Sequence, residues 1–385
     1  MQIKPFRIEQ YFGKYEFKAK YLLSSSDAES RTIQELLDLE PGGAHQRLLE
    51  HWCGYTESPG APWLREAIAG IYKPVGAQHG CAPGLHDLTK SDVVLVTAAA
   101  EEAIFVFYHA LVGPADHVIV ETPCYESALE VARSTGAQVT EWSRTFESGW
   151  AHDVAALEKL IRPNTKVIYI NTPHNPTGLL MPAPIFQQVI ALAASRNIIL
   201  FSDEVYRELE HDPATRLPAA CEAYEHAVSL GSMSKSYGLP GLRLGWLVSR
   251  DPDIIHRCLE FKYYTTICSS APSEFLTAVA LRHREVLIQR NREIVMRNLP
   301  LLDAFFRQRS HLFAWIKPNA SPIGFVHFKP HRDALQFCER VVRDSGVMLL
   351  PGTVYDQPRH IRFGFGRKNM PESLAQLAAY LDAHP

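Results

Sequence analysis

The 385-residue chain sets 39 lysines and arginines against 42 aspartates and glutamates, a formal net charge of -3. That balance gives no global field drawing it to nucleic acid or anionic lipid, and no Lys/Arg run or aromatic-plus-basic pattern argues for RNA or DNA as a partner. With 46% hydrophobic and 21% charged residues, it has the make-up of a soluble globular protein long enough for two domains, or one large domain with a lobe.

The opening MQIKPFRIEQYFGKYEF holds no apolar run of signal-peptide length, and nothing downstream approaches a membrane span, so the cytoplasm is the expected location and no membrane partner is expected. Between residues 90 and 250, six short apolar runs read as strands: 93–97, 117–121, 166–171, 198–203, 227–231 and 242–248. They are rich in β-branched residues and nearly unbroken in apolarity, as strands covered on both faces should be. AAEEAIFVFYHALV, ESALEVARSTG and APIFQQVIALAASRN, which lie between them, carry helical spacing. Past residue 270 the character changes. A long helical stretch over 273–309, interrupted at Pro300, leads to shorter strand candidates (FAWIKP, GFVHFKP, VMLLPG, HIRFGFG) and two further helices. The expected fold is α/β: a large domain (45–285) on a mostly parallel doubly wound sheet, and a smaller α+β domain (286–385) joined by residues 1–44.

Seven cysteines (Cys53, Cys81, Cys124, Cys221, Cys258, Cys268, Cys338) are scattered without a C-x-x-C pair. Neither a disulfide framework nor a metal site is expected, and buried free thiols are the simplest reading.

Ligands of open α/β sheets bind at the carboxyl ends of the strands. Read in order, five of those ends are polar or turn-forming: Thr97-Ala-Ala-Ala100, Thr122-Pro-Cys-Tyr125, Asn171 to Gly178, Asp203-Glu-Val-Tyr206 and Ser232-Met-Ser-Lys235. Singly, each has an ordinary explanation. Asn175-Pro-Thr-Gly178 is good turn chemistry, Asp203 can cap a helix, the tyrosines can edge a core, and Lys235 can lie on the surface. Together they suit one cofactor bearing an aldehyde, a phosphate and a pyridine nitrogen. A lysine with a depressed pKa is a Schiff-base nucleophile. Ser232, Ser234, Arg243 and the N–H groups of a helix starting near Ala99 suit a phosphate dianion. Asp203 suits a protonated ring nitrogen, which makes pyridoxal phosphate an electron sink. Asn175 and Tyr206 can reach its phenolic oxygen, and Tyr125 can cover the ring.

N-P-T-G, then D-x-x-Y twenty-eight residues on, then S-x-S-K and an arginine eight beyond the lysine resemble the class I/II aminotransferases, pyridoxal-phosphate enzymes of fold type I. The likeness runs from Tyr55 in YTESPGAPWLREAIAGIY to Arg362 in RHIRFGFG. It implies that Lys235 holds the cofactor covalently and shuttles the proton at the substrate α-carbon, and that Asp203 pairs with the pyridine nitrogen. Asn175 and Tyr206 would bind the phenolic oxygen, while Tyr125 would stack on the ring. Ser232, Ser234, Arg243 and the backbone at Ala100 and Glu101 would hold the phosphate. Tyr55 matches a tyrosine that reaches the neighbouring subunit's phosphate, so a homodimer is implied. Arg362 matches the arginine that grips the α-carboxylate of an amino-acid substrate, with Asn175 beside it.

Two departures bear on this. The family often has glycine where Ala98–Ala100 runs, and Glu101 brings a carboxylate near a phosphate, though helix geometry can turn it away. The N-terminal segment 15–30, YEFKAKYLLSSSDAES, instead resembles capreomycidine-synthase-like cyclases and arginine oxidases, which act on arginine or hydroxyarginine. There Glu16 and Asp27 are counterparts of acidic residues that face the guanidinium, although Asp27 reads equally well as a helix cap. Aminotransferase is the first expectation, and a cyclase, lyase or oxidase acting on an arginine-like amino acid is the alternative.

Overall fold

The computed structural model describes residues 2–72, 87–88, 90–330 and 333–384. Cys81 lies outside them; the other six cysteines are free thiols.

An N-terminal helix, α1 (Arg7–Tyr15), precedes the main sheet. That sheet comprises β1 (Val94–Thr97), β2 (His117–Thr122), β3 (Gln138–Ser143), β4 (Thr165–Asn171), β5 (Ile199–Asp203), β6 (Ala227–Ser232) and β7 (Gly245–Ser249). Its order is β1-β7-β6-β5-β4-β2-β3. Strand β7 runs antiparallel to both neighbours, and the other pairings are parallel. Two reversals restore direction, so β1 points the same way as β6 and six of the seven strands present their carboxyl ends along one edge. Helices α2 (Ala99–Leu111), α3 (Glu126–Ser134), α4 (Ala183–Ser195) and α5 (Pro252–Lys262) cover the faces. Apolar side chains from both faces fill separate clusters, which explains why the central strands are apolar on both sides.

Strand β3 has no counterpart in the sequence reading. It is an edge strand, mostly exposed or half-buried, so QVTEWS keeps the polarity of a loop. The strand expected over 242–248 starts only at Gly245, because Pro240–Leu242 forms a 3-10 turn and Arg243 adopts a left-handed φ of 48°.

The helical stretch after residue 270 divides at His283, not at Pro300, into α6 (Ala271–Arg282) and α7 (Arg284–Gln308). Pro300 and Met296, the residue whose carbonyl loses its helical donor, are both exposed. Water can serve that carbonyl, so the helix continues through the proline.

The second sheet holds β8 (Phe313–Trp315), β9 (Ile323–Phe328), β10 (Leu350–Pro351) and β11 (His360–Gly364), antiparallel in the order β10-β11-β9-β8. Helices α8 (Ala334–Ser345) and α9 (Met370–Ala383) pack on it. VMLLPG is two strands rather than one. Val347–Met348 pairs with Tyr21–Leu22, and only Leu350–Pro351 joins the sheet. Ile8 and Leu23 share a core with Val295, Phe363 and Leu377, so the N-terminal segment is packed with the C-terminal part of the chain. Among the described residues, no helix is long and apolar enough to cross a membrane.

Candidate active site

The strand ends and the N-terminal segment enclose a cavity of about 740 Å³. Ala100, Glu101, Tyr125, Asn175, Asp203, Tyr206, Ser232, Ser234, Lys235 and Arg243 all line it, as do Glu16, Asp27 and Arg362. Tyr55 does not; it is 84% exposed, on the outer surface.

Lys235 follows β6 and donates from Nζ to Ser26 Oγ at 2.9 Å. Burial lowers its pKa, with Arg362 acting in the same direction and Asp27 opposing. The amine is therefore easier to deprotonate than an ordinary lysine, as a nucleophile or proton carrier requires.

Asp203 ends β5 at the cavity wall. Its Oδ1 accepts from the Val205 N–H at 3.1 Å and its Oδ2 from the Tyr169 hydroxyl at 3.0 Å. Burial pushes its pKa up to about 6, although these bonds and Lys235 pull the other way. A cationic ring nitrogen at this point would stabilise the ionised carboxylate that burial penalises. The buried Tyr206 hydroxyl has no hydrogen-bond partner among the described residues, which leaves a donor for a phenolic oxygen.

The phosphate-sized corner is formed by hydroxyls and backbone. Ser232 Oγ donates to Ser234 Oγ at 3.0 Å and accepts from the Ser234 N–H at 3.1 Å. Helix α2 begins beside them, with Ala99 in a left-handed conformation (φ 64°). Strand β7 can approach this helix start only because position 245 is glycine: a Cβ there would lie 2.8 Å from the Ala99 carbonyl carbon and 3.0 Å from the Ala100 nitrogen. Free N–H groups at a helix start, two hydroxyls and Arg243 form a donor set suited to a dianion.

Glu101 does not turn away, as helix geometry allowed. It stays on the cavity wall, where Ser127 donates to it at 3.3 Å and burial pushes its pKa up to about 7. A carboxyl whose ionisation burial opposes in this way repels a phosphate less than a fully ionised one would.

Arg362, on β11, is 1% exposed. Its Nη1 donates to Asn175 Oδ1 at 3.1 Å and to the Tyr355 hydroxyl at 2.5 Å, and its Nη2 donates to the Ser24 carbonyl at 2.7 Å. Its Nε has no partner, and no carboxylate among the described residues pairs with it. A buried guanidinium without an anion is costly unless something else supplies the charge. A substrate carboxylate would do so.

The N-terminal segment supplies three residues that the motif reading missed. Phe6, Glu9 and Phe12 face the cavity together with the expected Glu16. Their steps of three, three and four are the spacing of one helical face, and that was the available signal in FRIEQYFGKYEF. The Tyr125 hydroxyl donates to Glu9 at 2.5 Å, and the Tyr125 ring meets Phe6 edge-on at 5.0 Å. Glu16 is half-buried; burial, and then Asp27 and Glu9, raise its pKa, while Arg367 and Lys235 oppose. Asp27 is engaged by Arg367, whose Nη2 lies 2.9 and 2.7 Å from its two oxygens.

A family model described as aminotransferase class I and II matches residues 21–379. Capreomycidine synthase of Streptomyces vinaceus is 29% identical, with 98% of this chain and 94% of that protein aligned. An aspartate aminotransferase of Thermotoga maritima is 27% identical over 86% of this chain and 84% of its own length. Among solved structures, a PLP-dependent aminotransferase from Streptococcus suis 89-1591 superposes with a TM-score of 0.90 at 28% identity, covering 100% of this chain and 99% of the other.

Proposed function

The chain belongs to the aminotransferase class I and II family, and from that membership we propose how its own residues handle an amino-acid substrate. It is a pyridoxal-phosphate enzyme acting at the α-carbon of an L-amino acid, of aminotransferase type. When bound, the cofactor withdraws electrons from the substrate α-carbon, so that the bond to hydrogen there can break heterolytically.

Lys235 would hold the cofactor covalently, and its Nζ, which lines the same cavity as Arg362, would take the proton from the substrate α-carbon. Asp203 keeps the ring nitrogen protonated, and Tyr206 and Asn175 donate to the phenolic oxygen. Ser232, Ser234, Arg243 and the backbone at Ala100 and Glu101 hold the phosphate, while Tyr125 covers the ring. Arg362 and Asn175 receive the α-carboxylate. The observation that carries this reading is the buried, anion-free guanidinium of Arg362 lining the same cavity as the desolvated amine of Lys235.

The enzyme acts as a cytoplasmic homodimer in this proposal, with a large domain over 45–285 and a small one over 1–44 and 286–385. Leu49, Trp52, Tyr55 and Tyr264 are 82%, 76%, 84% and 90% exposed. Their segments are tied together, since Thr56 donates to the Ser269 carbonyl and Lys262 to the Ser58 carbonyl. A cluster of exposed aromatics on one surface is expected where a second copy packs, and Tyr55 of the partner subunit would then reach the phosphate.

One observation favours a second reading, a cyclase, lyase or oxidase acting on arginine or a hydroxyarginine. Glu16 faces the cavity, near Glu9, without an ion-pair partner among the described residues, and a cationic side chain would complement it. Asp27, already held by Arg367, is the weaker half of that proposal.

Single-turnover incubation of the loaded enzyme with individual amino acids, arginine and γ-hydroxyarginine included, separates the two. Release of the keto acid with conversion of the cofactor to its amine form identifies transamination. Product formation without that conversion identifies elimination, ring closure or oxidation. Borohydride reduction and peptide mapping should place the cofactor on Lys235, and a colourless protein that cannot be reduced onto that lysine ends the assignment.

A further inference from the structure

Behind the cavity, at the end of β2, lies a charged cluster that the chemistry above does not use. Glu121 is 1% exposed, and its side chain is fully enclosed. Its Oε1 accepts from Arg144 Nη1 at 2.7 Å and lies 2.8 Å from His152 Nε2 and 3.9 Å from His174 Nε2. Arg144 is held in turn by the Trp150 carbonyl at 2.6 Å. Burial opposes ionisation of Glu121, but its pKa is held below the usual carboxylate range, with His174, His152 and Arg144 all favouring the anion when they carry charge. Burial, followed by Arg144, pushes the His174 pKa down to about 3. At neutral pH His174 is therefore uncharged, and Arg144 supplies the lasting counter-charge.

The other oxygen of Glu121 reaches the active site. The backbone pairing of β2 with β4 ends at Val120 opposite Tyr169. Past that point, Glu121 Oε2 accepts the Asn171 N–H at 3.0 Å in place of a ladder carbonyl. Asn171 then distributes the constraint. Its Nδ2 donates to the Asp203 carbonyl at 2.9 Å, and its Oδ1 accepts from the Asn175 N–H at 2.6 Å. Asn175 Oδ1 meets Arg362 and Tyr355 at 3.1 Å each. One buried carboxylate is thus the first member of an unbroken run of hydrogen bonds ending on the residues assigned to the α-carboxylate and the phenolic oxygen.

We infer that Glu121 is a positioning residue for the substrate-carboxylate site: it fixes the end of β4 through Asn171 and so sets the direction of the Asn175 amide and, through it, of Arg362. The inference rests on the roles proposed above for Asn175 and Arg362. A purely structural ion pair would give a different result. Buried pairs can often be exchanged for apolar residues of similar volume with little loss of stability, and the site would then be unchanged.

The decisive variant is the double replacement Glu121→Met with Arg144→Met, which removes both charges together and leaves the Asn171 N–H without its acceptor. Glu121→Gln is the conservative companion, retaining one acceptor oxygen. Ile68→Ala, fully buried in a separate core cluster with Val94 and Val96 of β1 at the opposite edge of the sheet, controls for lost stability. Two readouts on the cofactor-loaded proteins avoid turnover: the pH midpoint of the cofactor's visible absorption, and the affinity for propionate, an inert carboxylate, measured from the same absorption.

In the double variant, propionate should bind about tenfold more weakly. The midpoint should rise by roughly half a pH unit as the donor to the phenolic oxygen loosens. Glu121→Gln should show smaller shifts in the same directions, and Ile68→Ala neither. Wild-type values in a folded double variant, or equal shifts in Ile68→Ala, overturn the inference. Arg362→Ala is the reference. If it leaves propionate binding unchanged, the carboxylate assignment itself falls; if it weakens binding while the double variant does not, only the role of Glu121 falls.

Discussion

Arg362 donates to Asn175 Oδ1 across 3.1 Å, and this bond ties β11 of the small sheet to the loop that follows β4 of the large one. The two residues are 187 positions apart, and both are buried. A substrate carboxylate placed between them would therefore bind to both parts of the chain at once. The same anion would neutralise a guanidinium that otherwise has no acidic partner among the described residues.

Arg362→Ala should lower kcat/KM for the preferred amino acid by about a hundredfold or more, the loss expected when one member of a desolvated, hydrogen-bonded charge pair is removed. Arg362→Lys should recover little of it. A lysine keeps the charge but loses the planar fork that can hold the carboxylate while still reaching Asn175, Tyr355 and Ser24. Steady-state kinetics with both variants checks the ordering, and an activity in Arg362→Lys near that of the wild type would contradict bidentate recognition.

Asp203 yields a prediction about pH. Its folded-state pKa, about 6, lies above the ordinary value of 3.8. The protonated form is thus the one that burial favours in the cofactor-free protein. Such a group contributes stability below pH 4 and loses it as the pH rises through 6. Asp203→Asn should therefore stabilise the cofactor-free protein above pH 6 by roughly 1–3 kcal/mol, an advantage that vanishes below pH 4. The asparagine oxygen can still accept from the Val205 N–H, and the Tyr169 hydroxyl can turn to accept from the amide. Thermal unfolding from pH 4 to 8 tests the crossover, and the same variant, once loaded, should be nearly inactive.

The strand-end residues were legible because apolar strands ending in polar groups leave a pattern in any sequence, and because cofactor chemistry demands particular groups. Asp203, Lys235 and Arg243 stand out only in combination with the other strand ends, and the structure brings all three to one cavity. Position 362 needed the family resemblance, since one arginine among many carries no mark of its burial. Strand β3 was invisible because an edge strand with an exposed side has no apolar run to betray it. Pro300 misled for the converse reason: the breaking power of proline depends on whether its orphaned carbonyl can reach water, and sequence does not reveal that. Glu121 could not be picked out either. Its importance lies in a bond to the backbone of Asn171, fifty residues away, and backbone partners leave no sequence signature.

Glu16 and Asp27 should separate under mutation although both line the cavity. Glu16→Gln removes a carboxylate that has no ion-pair partner among the described residues, so it should weaken an arginine-type substrate by about tenfold and leave thermal stability nearly unchanged. Asp27→Asn strips a buried partner from Arg367, so its main effect should be lost stability. Isothermal titration and unfolding on both variants decide the matter. Unchanged arginine binding in Glu16→Gln would remove the case for a cationic substrate.

Gly245→Ala tests the phosphate corner without touching any polar group. The added methyl would sit 2.8 Å from the Ala99 carbonyl carbon and 3.0 Å from the Ala100 nitrogen, with the Gly231 carbonyl oxygen also at 3.0 Å. All three atoms belong to backbone, so no side chain can swing aside. Either β7 or the start of α2 must move. Overpacking of this kind costs about 1–3 kcal/mol. Because α2 begins with Ala99 already left-handed, the helix start is the more strained of the two and should yield first. Its N–H groups would then be misdirected. Cofactor affinity, measured by dialysis and re-addition, should fall on the order of tenfold, while the colour of the protein saturated with cofactor stays unchanged. Affinity equal to that of the wild type would mean that the N–H groups of α2 contribute nothing to holding the phosphate, leaving that task to Ser232, Ser234 and Arg243.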